Sequence, residues 1–281
     1  MTLEASYRHC AEVARKRARN FYYSFLALPK QKRLAMCALY AFMRECDDLS
    51  DEAGATLDAL ERWRADLDSS LGGRMGAHAV WPALVDTVER YRIPPRYLHE
   101  MIDGVSSDLA PHRVETFDDL YRYCYLVASV AGITTIHVFG FDSEEALPLA
   151  EKCGIAFQLT NIIRDVKEDA ANGRVYLPAE DLARFQVAPE SLLGVLTPEL
   201  RRLLEFEADR ARLYYGESLP LLGMIHPDSR PSLWALIEIY SRLLQRIERR
   251  GYDVMQGRIR LPGVEKSMIA LRAMLGARFT T

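Results

Sequence analysis

The chain carries no C-x-x-C pair, no H-E-x-x-H helix and no G-x-G-x-x-G loop. Its five cysteines are widely spaced and odd in number, which excludes a disulfide framework or a zinc knuckle and fits a reducing compartment. The six histidines show no ligand spacing, no serine- or cysteine-nucleophile motif occurs, and nothing marks a Rossmann dinucleotide site. Excess charge of one sign is missing too. Lys+Arg 36 against Asp+Glu 39 leaves a net charge of −3, too near balance for a general nucleic-acid binder. The opening stretch MTLEASYRHCAEVARKRARN has no apolar signal-peptide core. A cytoplasmic protein is therefore expected, in loose peripheral contact with the inner face of the membrane. Strand signals are scarce, Val175-Tyr176-Leu177 being the best of them, and no repeat, low-complexity tract or polar linker divides the 281 residues.

What remains reads as helix. Hydrophobic residues at 49% and charged residues at 27% suit a globular core that needs no cross-links. The pattern predicts a single all-α domain over residues 1–281 with about ten helices. Thr116 with Asp119 spells a capping box, and Thr197-Pro198-Glu199 opens a helix that runs to roughly Tyr215. Pro29, Pro94-Pro95, Pro178, Pro227 and Pro231 mark breaks. From Tyr123 to Phe141 there is no Asp, Glu, Lys or Arg over 19 residues, close to membrane-spanning length. Ser129, Gly132, Thr134, Thr135 and His137 interrupt that run and no belt flanks it, so it predicts a buried helix lining a cavity.

Two acidic clusters ask for an explanation. Asp47 and Asp51 follow the apolar run Met36–Met43; four apart on a helix, they stand ~40° apart in angle and ~6 Å along the axis. Asp48 and Glu52 repeat the pairing one position round. In the second cluster Asn161, Asp165 and Asp169 form a polar stripe at i, i+4 and i+8, which Gln158 extends upstream. Its acids come at the C-terminal part of an apolar helix, where they oppose the dipole. Charged i,i+4 groups usually form a solvated face. Two such clusters about 118 positions apart, each with an adjacent arginine (Arg44, Arg164), instead suit Mg²⁺ held partly by carboxylates and partly by substrate phosphates.

The segments DDLSDE at 47–52 and QLTNIIRDVKEDAANGRVYLP at 158–178 resemble the two aspartate motifs of the squalene/phytoene synthase family. FYYSFLALP at 21–29 and YCYLVASVAG at 123–132 are similar to its pattern as well, the first most like the bacterial presqualene diphosphate and squalene synthase branch. The resemblance implies an isoprenoid-synthase-type helical bundle around a central apolar cavity, and a head-to-head condensation of two prenyl diphosphates. Farnesyl diphosphate leading to presqualene diphosphate or squalene is the first expectation, with geranylgeranyl diphosphate leading to phytoene as the alternative. Mg²⁺ is the implied cofactor, joined by NADPH where the second step is reductive.

On that resemblance Asp47, Asp51, Asp165 and Asp169 are the Mg²⁺ ligands, with Asn161 completing the coordination or binding a diphosphate oxygen. Gln158 belongs to the same stripe. Arg44, Arg164, Arg258 and Lys266 would bind diphosphate; alone, each arginine beside an aspartate is an ordinary ion pair. Asn20 stands where many relatives carry serine, its amide replacing a hydroxyl contact to diphosphate. Tyr40 and Tyr240 match cleft tyrosines that touch diphosphate or face the cation. Phe21, Phe25, Val127, Ala128 and Gly132 match chain-pocket positions, and Cys37 a position that could set pocket depth. The RKRAR run at 15–19 reads as a solvated helix face or as a contact for anionic lipid. A terpene cyclase and a non-catalytic lipid-binding scaffold are the rival readings; the acid at position 165 beside Arg164 opposes the first, and four acids on one cavity the second.

Overall fold

The computed structural model describes residues 1–51, 57–107, 109 and 114–275, and the side chains of Arg19, Asn20 and Asp51 lie outside the described part. Among the described residues there is no strand, only an isolated antiparallel bridge between Phe141 and Ile225 besides single bridge residues, and the Val175–Leu177 segment is a connection between helices. The all-α expectation holds, but the helices number fourteen among the described residues instead of about ten. Short interruptions that sequence pattern reads through account for the difference.

In chain order the first helices are α1 (Leu3–Arg17), α2 (Arg19–Phe25), α3 (Lys30–Asp51), α4 (Leu57–Leu71), α5 (Trp81–Arg90) and α6 (Pro95–Ser107). They are followed by α7 (Phe117–Cys124), α8 (Val130–Phe139), α9 (Ala146–Ala171), α10 (Ala179–Arg184) and α11 (Pro198–Ser218). The chain closes with α12 (Leu221–Met224), α13 (Arg230–Arg249) and α14 (Gly263–Met274). The sequence signals explain several boundaries. Thr116 accepts from the Asp119 N–H while the Asp119 carboxylate accepts from the Thr116 N–H, and Thr197 accepts from the Leu200 N–H at 3.2 Å.

The charge-free stretch is buried or half-buried along the bundle, and no helix among the described residues is long and apolar enough to cross a membrane. Between α7 and α8 it winds as one π-helical turn, Tyr125–Ser129. Glycine lets this segment approach its neighbours backbone to backbone. A Cβ on Gly154 of α9 would lie 2.5 Å from Ser129 Cα, and one on Gly132 of α8 would lie 3.1 Å from the Ala150 carbonyl oxygen. Ser129 Oγ also donates to the Glu151 carbonyl at 2.7 Å. Replacing Gly154 by alanine should thus cost about 1–3 kcal/mol, because neither backbone can retreat. The measurement is a lowered Tm with an unchanged circular dichroism spectrum.

Candidate active site

Helix α3 sets the first wall. Met36, Tyr40, Met43 and Asp47 recur at helical spacing and face one cavity. Cys37, one position round, is buried in the core, where burial pushes its thiol up to about 11. It does not line the cavity, so the expected role in pocket depth falls to its neighbours Met36 and Tyr40. At the end of the helix Arg44 pairs with Asp48 and stands 3.8 Å from an Asp47 oxygen, while Arg17 of α1 reaches Asp48 at 3.1 Å. Asp51 ends α3 and its side chain is outside the described part, as is that of Asn20 in α2.

The second wall is α9. Asn161 Nδ2 donates to Gln158 Oε1 at 3.3 Å, and Asn161 Oδ1 is buried without a hydrogen-bond partner. One turn on, Asp165 is held by two guanidiniums: Arg164 donates from Nε at 2.7 Å and again from Nη2, and Arg258 donates from Nη2 at 2.8 Å. Arg258 also pairs with Glu168 at 3.2 Å. The next turn places Asp169 among like charges. Burial, then Asp165 and Glu168, push its carboxyl up to about 7 against the pull of Arg174 and Arg258. The arginines from α9 and from the 250s loop thus offset the acids that crowd the C-terminal end of this helix.

Two connected cavities lie between these walls, each of about 280 Å³. The outer one is rich in cations: Arg17, Arg164, Arg258, Arg260 and Lys266 line it with Asp47. The inner one is apolar and takes Phe21, Phe25, Val127, Ala128 and Gly132 from α2, the π turn and α8. Phe21, Tyr40, Asp47, Asn161 and Tyr240 line both, so they form the passage between the two chambers. Tyr240 is buried there, stacked on Phe157 with ring centres 4.4 Å apart and planes within 17°, with Phe21 at 6.0 Å. Burial pushes the Tyr40 hydroxyl up to about 12, so it stays protonated and can act as a donor near neutral pH.

The geometry brings together Asp47, Asn161, Gln158, Arg44, Arg164, Arg258, Lys266 and both tyrosines on the two chambers. Asp165 reaches the outer chamber through Arg164 and Arg258, and Asp169 lies a turn beyond, on neither lining. Among the described residues no three acidic, histidine or cysteine groups are grouped to hold an ion by themselves. Sequence reasoning missed Arg260 and gave Arg17 only a surface role. The Arg258-Ile-Arg260 alternation, with buried Ile259 between exposed cations, was the available signal.

The squalene/phytoene synthase family model matches residues 14–265. The chain is 36% identical over 301 residues to a phytoene synthase of Arthrospira platensis, covering 99% of this chain and 95% of that one. It is 35% identical over 296 residues to the 15-cis-phytoene synthase of Synechococcus elongatus, covering 98% and 94%. Among solved structures, a dehydrosqualene synthase in complex with ligand superposes with a TM-score of 0.90 at 29% identity, over 96% of each chain. Squalene synthase HpnC from Alicyclobacillus acidocaldarius gives 0.84 at 28% identity, over 89% of this chain and 96% of that one. A cation-lined chamber opening on an apolar one, inside this bundle and with these relatives, leaves one conclusion: the chain belongs to the squalene/phytoene synthase family and is a prenyltransferase of the head-to-head type.

Proposed function

We propose that the protein condenses two geranylgeranyl diphosphates head to head and carries the product to phytoene without a reductant. The observation behind this reading is the doubled cavity, which gives two diphosphates a cationic chamber and their tails an apolar one. The names of the 36% and 35% identical relatives favour the C20 substrate over the farnesyl diphosphate that the sequence motifs first suggest. The two solved relatives near 29% identity, a dehydrosqualene and a squalene synthase, keep a C15 reading as the alternative.

The donor set fits magnesium: it is all oxygen, it leaves Asn161 Oδ1 unpartnered, and it crowds Asp169 with like charge that a cation relieves. Asp47, Asp51, Asp165 and Asp169, with Asn161, would hold it, and when bound it neutralises the departing diphosphate. Arg44, Arg164, Arg258 and Lys266, joined by Arg17 and Arg260, grip the diphosphate oxygens as bidentate or point charges. Tyr40 donates its hydroxyl to the same groups. Loss of diphosphate from C1 of one substrate leaves an allylic cation, which the C2=C3 bond of the other attacks before a proton is lost to give a cyclopropylcarbinyl diphosphate. Tyr240 and Phe21 present ring faces to that cation, and the walls of the inner chamber keep water from quenching it.

The deciding experiment offers C15 or C20 diphosphate to purified protein with Mg²⁺, with and without NADPH, and identifies products by mass spectrometry. Phytoene from the C20 substrate without NADPH is expected. Consumption of the C15 substrate alone would turn the assignment to the alternative, and no condensed product from either would overturn both.

Two further results are expected at this site. Ala128→Phe, which fills the inner chamber, should lower kcat/KM for the C20 substrate about 10–200-fold while sparing a C15 substrate relatively. In metal-free protein Asp169 holds a proton below about pH 7, above its usual carboxylate range, so Mg²⁺ must displace that proton. Apparent Mg²⁺ affinity should therefore fall as pH drops from 8 to 6. Calorimetry in buffers of different ionisation enthalpy should count the released proton, and Asp169→Asn should abolish that release.

A further inference from the structure

Helix α14 turns an apolar stripe outward. Val264, Met268 and Leu271, with Leu275 just past its end, are 72%, 57%, 53% and 75% exposed. At i, i+4, i+7 and i+11 they fall within about 60° of one side of the helix. The opposite side carries Ile269, Ala270 and Ala273, all buried, where α14 packs on α13 and α2. The single acid of the helix, Glu265, is taken up by Arg242 at 3.4 Å and Arg246 at 3.0 Å. What the face offers solvent is therefore apolar and flanked by positive charge.

The local charge is at odds with that of the chain. From Gln256 to Thr281 there are five basic residues (Arg258, Arg260, Lys266, Arg272, Arg278) and one acid, Glu265, hence 5 − 1 = +4 in a protein of net −3. Arg260 and Lys266 belong to the outer chamber, so the stripe begins at its rim. Lys266 lies 5.7 Å from the Tyr23 ring of α2, and α2 continues from the exposed Arg15-Lys16-Arg17 end of α1. Arg272 flanks the stripe from over the Trp234 ring at 5.6 Å.

We propose that this face docks on the anionic surface of a lipid bilayer, with α14 lying in the plane of the interface and the outer chamber opening beside it. An outward apolar stripe bordered by cations is the composition that binds such surfaces, and each cation near anionic headgroups adds to the attraction. A second copy of the chain would bring +4 against +4 across the same contact. The inference rests on the proposed function only for the benefit it confers: prenyl diphosphates enter from, and a hydrocarbon leaves to, the membrane against which the chamber is held.

The test is flotation of the full chain with vesicles of phosphatidylcholine alone, or with roughly 30% phosphatidylglycerol. Binding is expected to the anionic vesicles only and to weaken at high salt. The variant Met268→Ser/Leu271→Ser/Leu275→Ser removes only exposed groups. It should weaken vesicle binding about tenfold or more while keeping turnover in detergent micelles within about twofold of the parent. Unchanged binding of this variant, or no binding of the parent to anionic vesicles, overturns the proposal. So does a parent dimer that the variant dissociates, which would make the face a contact between copies. Binding is read without turnover, so a failed condensation assay and a failed docking surface remain separate results.

Discussion

Asp165→Asn is expected to reduce turnover by about 10²–10³-fold or more while leaving the helical fold intact, and Asp47→Asn should do the same. The two positions stand on α9 and α3, and each contributes a carboxylate that the departing diphosphate requires through its metal. Asp165 carries a second duty, since it alone joins Arg164 to Arg258. Its amide variant should therefore raise KM as well as lower kcat, because both guanidiniums lose their anchor. Asp48→Asn is the control. Asp48 is a neighbour of Asp47 but pairs outward with Arg17 and Arg44 and lines neither chamber, so its loss should cost at most about tenfold. Steady-state kinetics on the three variants at saturating Mg²⁺ decide the matter; parental rates in Asp165→Asn or Asp47→Asn would end the ligand assignment.

Arg210→Met should be the most damaging change to stability. Arg210 Nη1 donates to Asp181 at 2.9 Å and to both Glu207 oxygens at 2.9 and 3.0 Å, and its guanidinium lies 4.0 Å from the Phe117 ring. The Asp181 and Glu207 side chains are only 5% and 1% exposed. Removing the cation strands two carboxylates in the interior, a loss of about 3–5 kcal/mol that urea unfolding would show as a lower midpoint at constant slope. Burial, aided by Asp181, already pushes Glu207 up to about 7 against Arg210. The sign follows: a carboxyl with a folded pKa above its unfolded 4.5 favours the native state when protonated, and that contribution is lost as pH rises through about 7. Arg210→Met should steepen this decline with pH, and adding Glu207→Gln should recover part of the midpoint. The triad matters to the site because it pins α10 to α11, and α10 follows directly on the acidic end of α9.

Much of the site was legible before any coordinates because it is local. Asp47 on α3, and Asn161 and Asp165 on α9, are fixed by helical spacing and by the apolar runs that precede them. The chain-pocket residues Phe21, Phe25, Val127, Ala128 and Gly132, which singly look like core, do face the inner chamber. What escaped depends on contacts distant in sequence. Arg17 and Arg260 enter the outer chamber from segments more than 240 residues apart. The orientation of Cys37 is settled by how α3 rolls against α1, which a one-residue step of 100° decides. The π turn at Tyr125–Ser129 has no proline or glycine to announce it. It arises where the helix adjusts to the close approach of α9.

That close approach has a consequence for how the enzyme can change. Where Gly132 and Gly154 let α8 and α9 touch main chain to main chain, no side chain stands between the helices to be trimmed or enlarged. Selection for a shorter or longer tail finds this seam frozen, and must instead act on the opposite bank, where Phe25, Met36 and Leu233 supply bulk that substitution can remove. Diversification of product length in such a scaffold should be lopsided, with one side of the tunnel variable and the other invariant.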